Sequence, residues 1–173
     1  PGLDSSTGLP ASRLAADRRT PIAGPRGCDL SLRIALLTQL DASLARTLYA
    51  TYVRRFWCER FVLAGFRETP PGTPPHEDLD SGPVVAGIGM AASAFGLMTT
   101  RLLGDHGRHG RLAGQLALWD LGWRLTGRAV VSGPRGASMP GVGVPMGAEH
   151  ATGFLFGDAC LMLTLGWPMA PGR

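Results

Sequence analysis

Between Gly82 and Thr100 the chain runs for 19 residues without a charged side chain, and Arg101 ends the run. A stretch of that length has two destinations, a membrane or the interior of a folded protein. It carries four glycines and many alanines but few large aliphatic residues. Its insertion energy into a bilayer is therefore weak, and aromatic anchors are absent from its flanks. The run is read as a buried helix. Val84, Ile88, Phe95, Met98 and Leu102 share one face; Val85, Gly89, Ala92, Gly96 and Leu103 share another. The second face is mostly small, which lets a neighbour approach closely. Pro83 suits a first helical turn with Asp80 or Ser81 as cap, and Gly104 ends the helix.

The remaining elements are read around this one. Residues 1–27 are polar and turn-rich, with Gly24-Pro25-Arg26-Gly27 at their end, and read as an extended lead-in segment. A short helix follows over Leu30–Leu40, with Asp29 as its cap. Asp41 caps the next, in which Leu44, Ala45, Leu48, Tyr49, Tyr52, Val53, Phe56 and Trp57 recur at helical spacing to about Arg60. Leu63–Gly82 reads as a proline-rich loop. After the charge-free helix, Leu112, Leu116, Trp119 and Trp123 mark an amphipathic helix over about Gly107–Thr126. Residues 127–147 form a long Gly/Pro-rich loop. A last apolar helix spans about Thr152–Trp167, with Asp158 its only charge.

Buried and amphipathic helices thus alternate. The fold class this predicts is all-α, a partial α/α toroid of about five helices in alternating inner and outer layers. A closed ring of six hairpins takes on the order of 300 residues from typical helix and loop lengths. The 173 residues here are then expected to form one domain, the C-terminal half of a larger barrel whose N-terminal half is missing. A ring closing within the chain, or strands around Val84, would be incompatible with that expectation.

Charge narrows the partners. All 17 basic residues are arginine, with no lysine and no asparagine, as a GC-rich bacterial genome would produce. The arginines are scattered rather than clustered with aromatics, which argues against a nucleic-acid surface. Cys28, Cys58 and Cys160 are odd in number, far apart and without a CxxC pair, so neither a zinc site nor a disulfide framework is signalled. The spacing of histidines and carboxylates forms no metal-ligand motif. Gly87-Ile88-Gly89-Met90-Ala91-Ala92 fits a G-x-G-x-x-A dinucleotide pattern, with Asp105 some 18 residues beyond Gly87. The βαβ context that would make it a phosphate cradle is absent from the sequence. No cofactor is expected.

The candidates for acid/base chemistry are Asp29, Glu68, Asp78, Asp80, His150 and Asp158. In a toroid the N-termini of inner helices open on the central cavity, which would gather Asp29, the Asp78–Ser81 group and the Glu149-His150 pair. A carboxylate desolvated there holds its proton more tightly and can act as an acid. The competing structural reading makes Asp29, Asp80 and Ser81 helix caps and Asp158 a partner of an arginine such as Arg67.

Several short segments, in order and spacing, resemble the C-terminal half of the linalool dehydratase/isomerase family. They are Leu40-Asp41-Ala42-Ser43-Leu44-Ala45 with Tyr49, Tyr52 and Phe56; Arg67-Glu68-Thr69; the Asp78–Gly82 turn; Ala92-Ser93-Ala94-Phe95 with Gly104-Asp105; Glu149-His150; and Leu155-Phe156-Gly157-Asp158. Where the family carries a tyrosine–histidine pair, this chain has Ser12-Arg13. The resemblance implies an (α/α)6 barrel and a lyase or isomerase that adds or removes water at a small apolar alcohol or alkene, without redox cofactor or metal. On that reading Asp29, Asp80 and His150 are the catalytic candidates, and Cys28, Arg67, Glu68 and Ser81 the substrate-binding ones. A homo-oligomer is compatible with it. The alternative is a non-catalytic helical-repeat scaffold or a membrane-associated protein.

Overall fold

A computed structural model describes residues 2–74 and 84–115 of the chain. Its elements, in order, are β1 (Arg13–Leu14), β2 (Pro21–Ala23), α1 (Gly27–Leu40), α2 (Ala42–Phe56), β3 (Trp57–Arg60), β4 (Leu63–Phe66), β5 (Val84–Val85), β6 (Ile88–Gly89) and α3 (Met90–Leu102). A further helix, α4, occupies 106–115.

The three helices over 27–102 form the centre. Asp41 links the first two: its amide donates to Leu37 O, and its carboxylate accepts from the amides of Ser43 and Leu44 at 3.0 and 2.9 Å. One residue therefore closes α1 and caps α2. α1 packs against both α2 and α3. Every residue of α3 from Met90 to Thr100 is buried, as the charge-free run requires. The small face receives an aromatic ring, because a Cβ on Gly96 would collide with Phe66. Phe66 in turn stacks on Tyr52 at 4.6 Å and meets Trp57 edge-on at 5.1 Å. Leu9, Leu30, Ile34, Phe56, Leu97 and Leu112 complete this cluster. Leu44, expected on the buried face of α2, is instead substantially exposed.

A polar seam crosses the same interior. The hydroxyls of Tyr52 and Ser31 lie 2.7 Å apart, with Gly27 O and Ala92 O as acceptors at 3.0 and 2.9 Å. The Thr99 hydroxyl donates to Ser31 O at 2.7 Å. Fully desolvated hydroxyls are tolerated because each has a partner.

The all-α partial toroid is overturned. Three two-stranded antiparallel sheets, β1–β2, β3–β4 and β5–β6, lie between or beside the helices, so the fold is mixed α and β. Helical periodicity overran the end of α2. Trp57 turns to extended backbone (φ −65°, ψ 132°) and pairs with Phe66, because the hairpin buries both rings together where another helical turn would separate them. The expected loop from Leu63 therefore begins with a strand. Strands also stand at Val84, and with them the half-barrel reading falls. Ala86 and Gly87 both have positive φ (52° and 83°), the backbone of a tight hairpin turn rather than of a phosphate-binding loop. α3 accordingly starts at Met90, not at Pro83. The lead-in segment is not merely extended either. Leu3 bridges Pro10, Arg13 pairs with Ala23, and Leu9 is fully buried in the core. The expected 127–147 loop and the last helix lie outside the described residues. Among the described residues, no helix is long and apolar enough to cross a membrane.

The β3–β4 turn is strained in a way that mutation can relieve. Phe61 adopts φ 55° with its ring fully exposed. Such backbone costs an L-residue about 1 kcal/mol, and no packing offsets it here. Phe61→Gly is expected to raise stability by about 1 kcal/mol in urea unfolding, whereas Ala64→Gly in the adjacent strand is expected to lower it by roughly 1 kcal/mol.

Candidate functional site

The start of α1 gathers more chemistry than any other described part of the molecule. Arg26 is its N-cap residue, and its side chain makes no capping bond. The cap comes instead from Glu68, just past β4. Glu68 O accepts from the Gly27 amide at 2.8 Å, and Glu68 Oε2 accepts from the Cys28 amide at 3.2 Å. A carboxylate at a helix N-terminus meets free amides and the positive end of the helix dipole. Oε1 of the same carboxylate takes Arg26 Nε at 2.9 Å and the Cys28 thiol at 3.1 Å.

Close backbone approach makes this possible. A Cβ on Gly27 would run into the Arg67 carbonyl, and one on Gly89 would lie 3.1 Å from Glu68 Cβ. The two glycines let β4 and β6 close on the helix start.

Electrostatics follow from burial. Glu68 is almost fully buried, and desolvation raises its carboxyl above the usual glutamate range despite Arg26 and the Cys28 bonds. Desolvation, with the neighbouring Glu68 charge, pushes the Cys28 thiol far up, so it stays a neutral hydrogen-bond donor. It is not a nucleophile in this setting.

Asp29 sits in the first turn but is not a cap. Its Oδ1 pairs with Arg33 Nε at 2.6 Å, one helical turn on. Its Oδ2 is buried and has no hydrogen-bond partner among the described residues. Burial raises the Asp29 carboxyl above the usual aspartate range, and Arg33 and Arg26 only partly oppose it. Arg33 also donates to Ala11 O at 3.2 Å, tying the lead-in segment to the helix.

Between that segment and the helix start lies a pocket of about 560 Å³. Cys28 and Asp29 line it from α1, Arg13 from β1, Arg26 from the helix cap, and Thr69 and Thr73 from the loop after β4. The volume is within the range of small-molecule sites.

Of the residues singled out by sequence, the fold brings Cys28, Asp29 and Glu68 together. Cys28 and Asp29 line the larger pocket, whereas Glu68 and Arg67 line a smaller cleft of about 150 Å³ with Val84 and Gly87. Asp80, Ser81 and His150 lie outside the described residues, as do Asp78 and Asp158. The sequence reading missed Arg26 and Arg13. Arg26 lies in the polar Gly24–Gly27 turn that reads as part of an extended lead-in, and Arg13 in the Ser12-Arg13 pair that reads only as a departure from the family pattern. Among the described residues, no group of three or more His, Cys, Asp or Glu could hold a metal ion.

No protein-family model, curated protein or solved structure matches the chain.

Glu68 is testable through stability. Glu68→Ala removes the buried acceptor of Arg26 Nε, the Cys28 amide and the Cys28 thiol, and a loss of about 3 kcal/mol is expected. Glu68→Gln keeps the shape but not the charge and is expected to cost roughly 1 kcal/mol. The folded carboxyl holds its proton more tightly than the unfolded one. Its contribution is therefore fully present below the unfolded pKa and declines as pH rises toward the raised folded value. The wild type's margin over Glu68→Gln should shrink across that window in unfolding titrations.

Proposed function

We propose that this pocket is an acid/base site for a small molecule that gains or loses water, with Asp29 as the group that moves the proton. The reaction class is the one implied by the resemblance to linalool dehydratase/isomerases, without their barrel. The observation that carries the reading is the Asp29 carboxyl. It lines the pocket, it holds its proton above the usual aspartate range, and the oxygen that Arg33 leaves free has no partner among the described residues.

Dehydration needs a proton delivered to a leaving hydroxyl and a proton removed from the neighbouring carbon. Protonated Asp29 supplies the first. The C–O bond breaks, water leaves, and the Asp29 carboxylate then accepts the proton from the adjacent carbon as the double bond forms. Hydration runs the same steps backward. Arg33 holds one carboxylate oxygen throughout and limits the charge that builds on Asp29. Rotation about Cβ–Cγ would bring the oxygen that is buried in this structure out to the pocket as the reaction proceeds. The Cys28 thiol stays protonated and adds a neutral polar wall beside the reacting group.

Asp29→Asn keeps the size of the side chain and removes its proton chemistry. It is expected to lower the rate of oxygen exchange between solvent water and a bound alcohol by about 100-fold or more, with unfolding stability little changed. The wild-type rate should fall as pH rises through the raised Asp29 pKa, because the protonated acid is the active form. Equal rates in wild type and variant, or a rate indifferent to pH in that range, would show that Asp29 does not carry the proton.

A further inference from the structure

We propose that the molecule taken by this pocket carries a carboxylate, and that Arg13 is the residue that binds it: the ligand class is a small hydroxy acid rather than a hydrocarbon alcohol. The proposal rests on the reading of the pocket as an acid/base site and assigns that site its substrate class.

Each anionic group at or beneath the pocket already has its counterpart. Asp4 Oδ1 accepts from the amides and hydroxyls of Ser6 and Thr7, at 3.2 and 2.6 Å from Ser6 and 2.9 Å for both Thr7 donors. Asp29 has Arg33 at 2.6 Å, and Glu68 has Arg26 at 2.9 Å. Arg13 differs. It lines the pocket, is exposed, and has no hydrogen-bond or ion-pair partner among the described residues.

The guanidinium is therefore the group at this pocket whose charge the protein leaves unmatched among the described residues. A planar guanidinium presents paired N–H donors that fit the two oxygens of a carboxylate. β1 fixes its base, since Arg13 pairs with Ala23 and the Ser12 hydroxyl beside it donates to Gly24 O at 2.6 Å. Arg13 enters the pocket from the lead-in segment and Asp29 from α1, so the two come from different walls. Both line one pocket of about 560 Å³, and in the proposed complex a hydroxy acid lies between them, with its carboxylate on Arg13 and its hydroxyl toward Asp29. A pure hydrocarbon alcohol would leave the guanidinium without a partner.

The test is titration calorimetry on the full chain with β-hydroxybutyrate and with butanediol, which keeps the carbon chain and a hydroxyl but lacks the charge. β-Hydroxybutyrate is expected to bind and butanediol to bind at least tenfold more weakly. Arg13→Gln should weaken β-hydroxybutyrate by about 10- to 100-fold and leave butanediol unaffected, with Arg13→Lys between the two. The exposed position of Arg13 keeps these variants folded, which circular dichroism checks. No binding of β-hydroxybutyrate, equal binding of the two ligands, or an unchanged affinity in Arg13→Gln would overturn the proposal. Asp29→Asn separates it from the acid/base reading. Retained β-hydroxybutyrate affinity in Asp29→Asn, with exchange activity equal to the wild type's, would uphold the carboxylate site and remove the catalytic role of Asp29. Exchange at butanediol without β-hydroxybutyrate affinity would do the reverse.

Discussion

One buried carboxylate organises the described part of this protein. Glu68 stands where a serine or aspartate cap would ordinarily stand at the head of α1, but it arrives from 40 residues further along the chain. Its main-chain carbonyl and both carboxylate oxygens are committed to the first residues of that helix and to Arg26. A local cap would stabilise α1 alone. This one makes the helix start conditional on the end of β4, and the nearby Gly89 makes β6 part of the same junction. The packing below follows from it. With β4 pinned at Glu68, Phe66 is held two residues earlier, between Tyr52 and Gly96.

That arrangement explains which parts of the fold were legible in the sequence. The Asp41 cap, the Tyr52 and Phe56 face of α2, the all-round burial of α3 and the stop at Gly104 each depend on residues within a turn or two of one another, and periodicity reports them. The strands do not depend on local pattern. Two residues, Phe61 and Val62, connect β3 to β4, and neither belongs to the Asn-Gly or Asp-Gly signals that mark a tight hairpin. Trp57 continues the helical stripe of α2 by spacing, and only its pairing with distant Phe66 turns it into a strand. At Val84 the glycines that mark the second hairpin also matched a dinucleotide pattern and a helix start, so three readings competed for the same residues. The layered toroid was built on helix alternation and had no place for any of these pairings.

The site was legible to a similar degree. The sequence reading puts Cys28, Asp29, Arg67 and Glu68 on one cavity; Glu68 does bond Cys28 at the start of α1, but it lines a smaller cleft with Arg67, while Cys28 and Asp29 line the larger pocket. Reading Asp29 as a cap failed because Glu68 already occupies the helix head, which frees Asp29 to pair with Arg33. The arginines were harder. Scattered through an all-arginine chain, Arg13 and Arg26 carry no spacing that separates a site residue from a solvated one. Only the fold distinguishes them, by matching one to a buried acid and leaving the other facing the pocket.

The two carboxyls at the head of α1 share one arginine. Arg26 lowers the proton affinity of Glu68, with which it pairs, and of Asp29 beside it. It forms an ion pair with Glu68 Oε1 at 2.9 Å, and its charge also reaches Asp29. Asp29 retains Arg33, and burial still keeps its carboxyl raised. Desolvation thus leaves one acid tied into the structural junction, and the other lining the pocket with its unpaired oxygen buried.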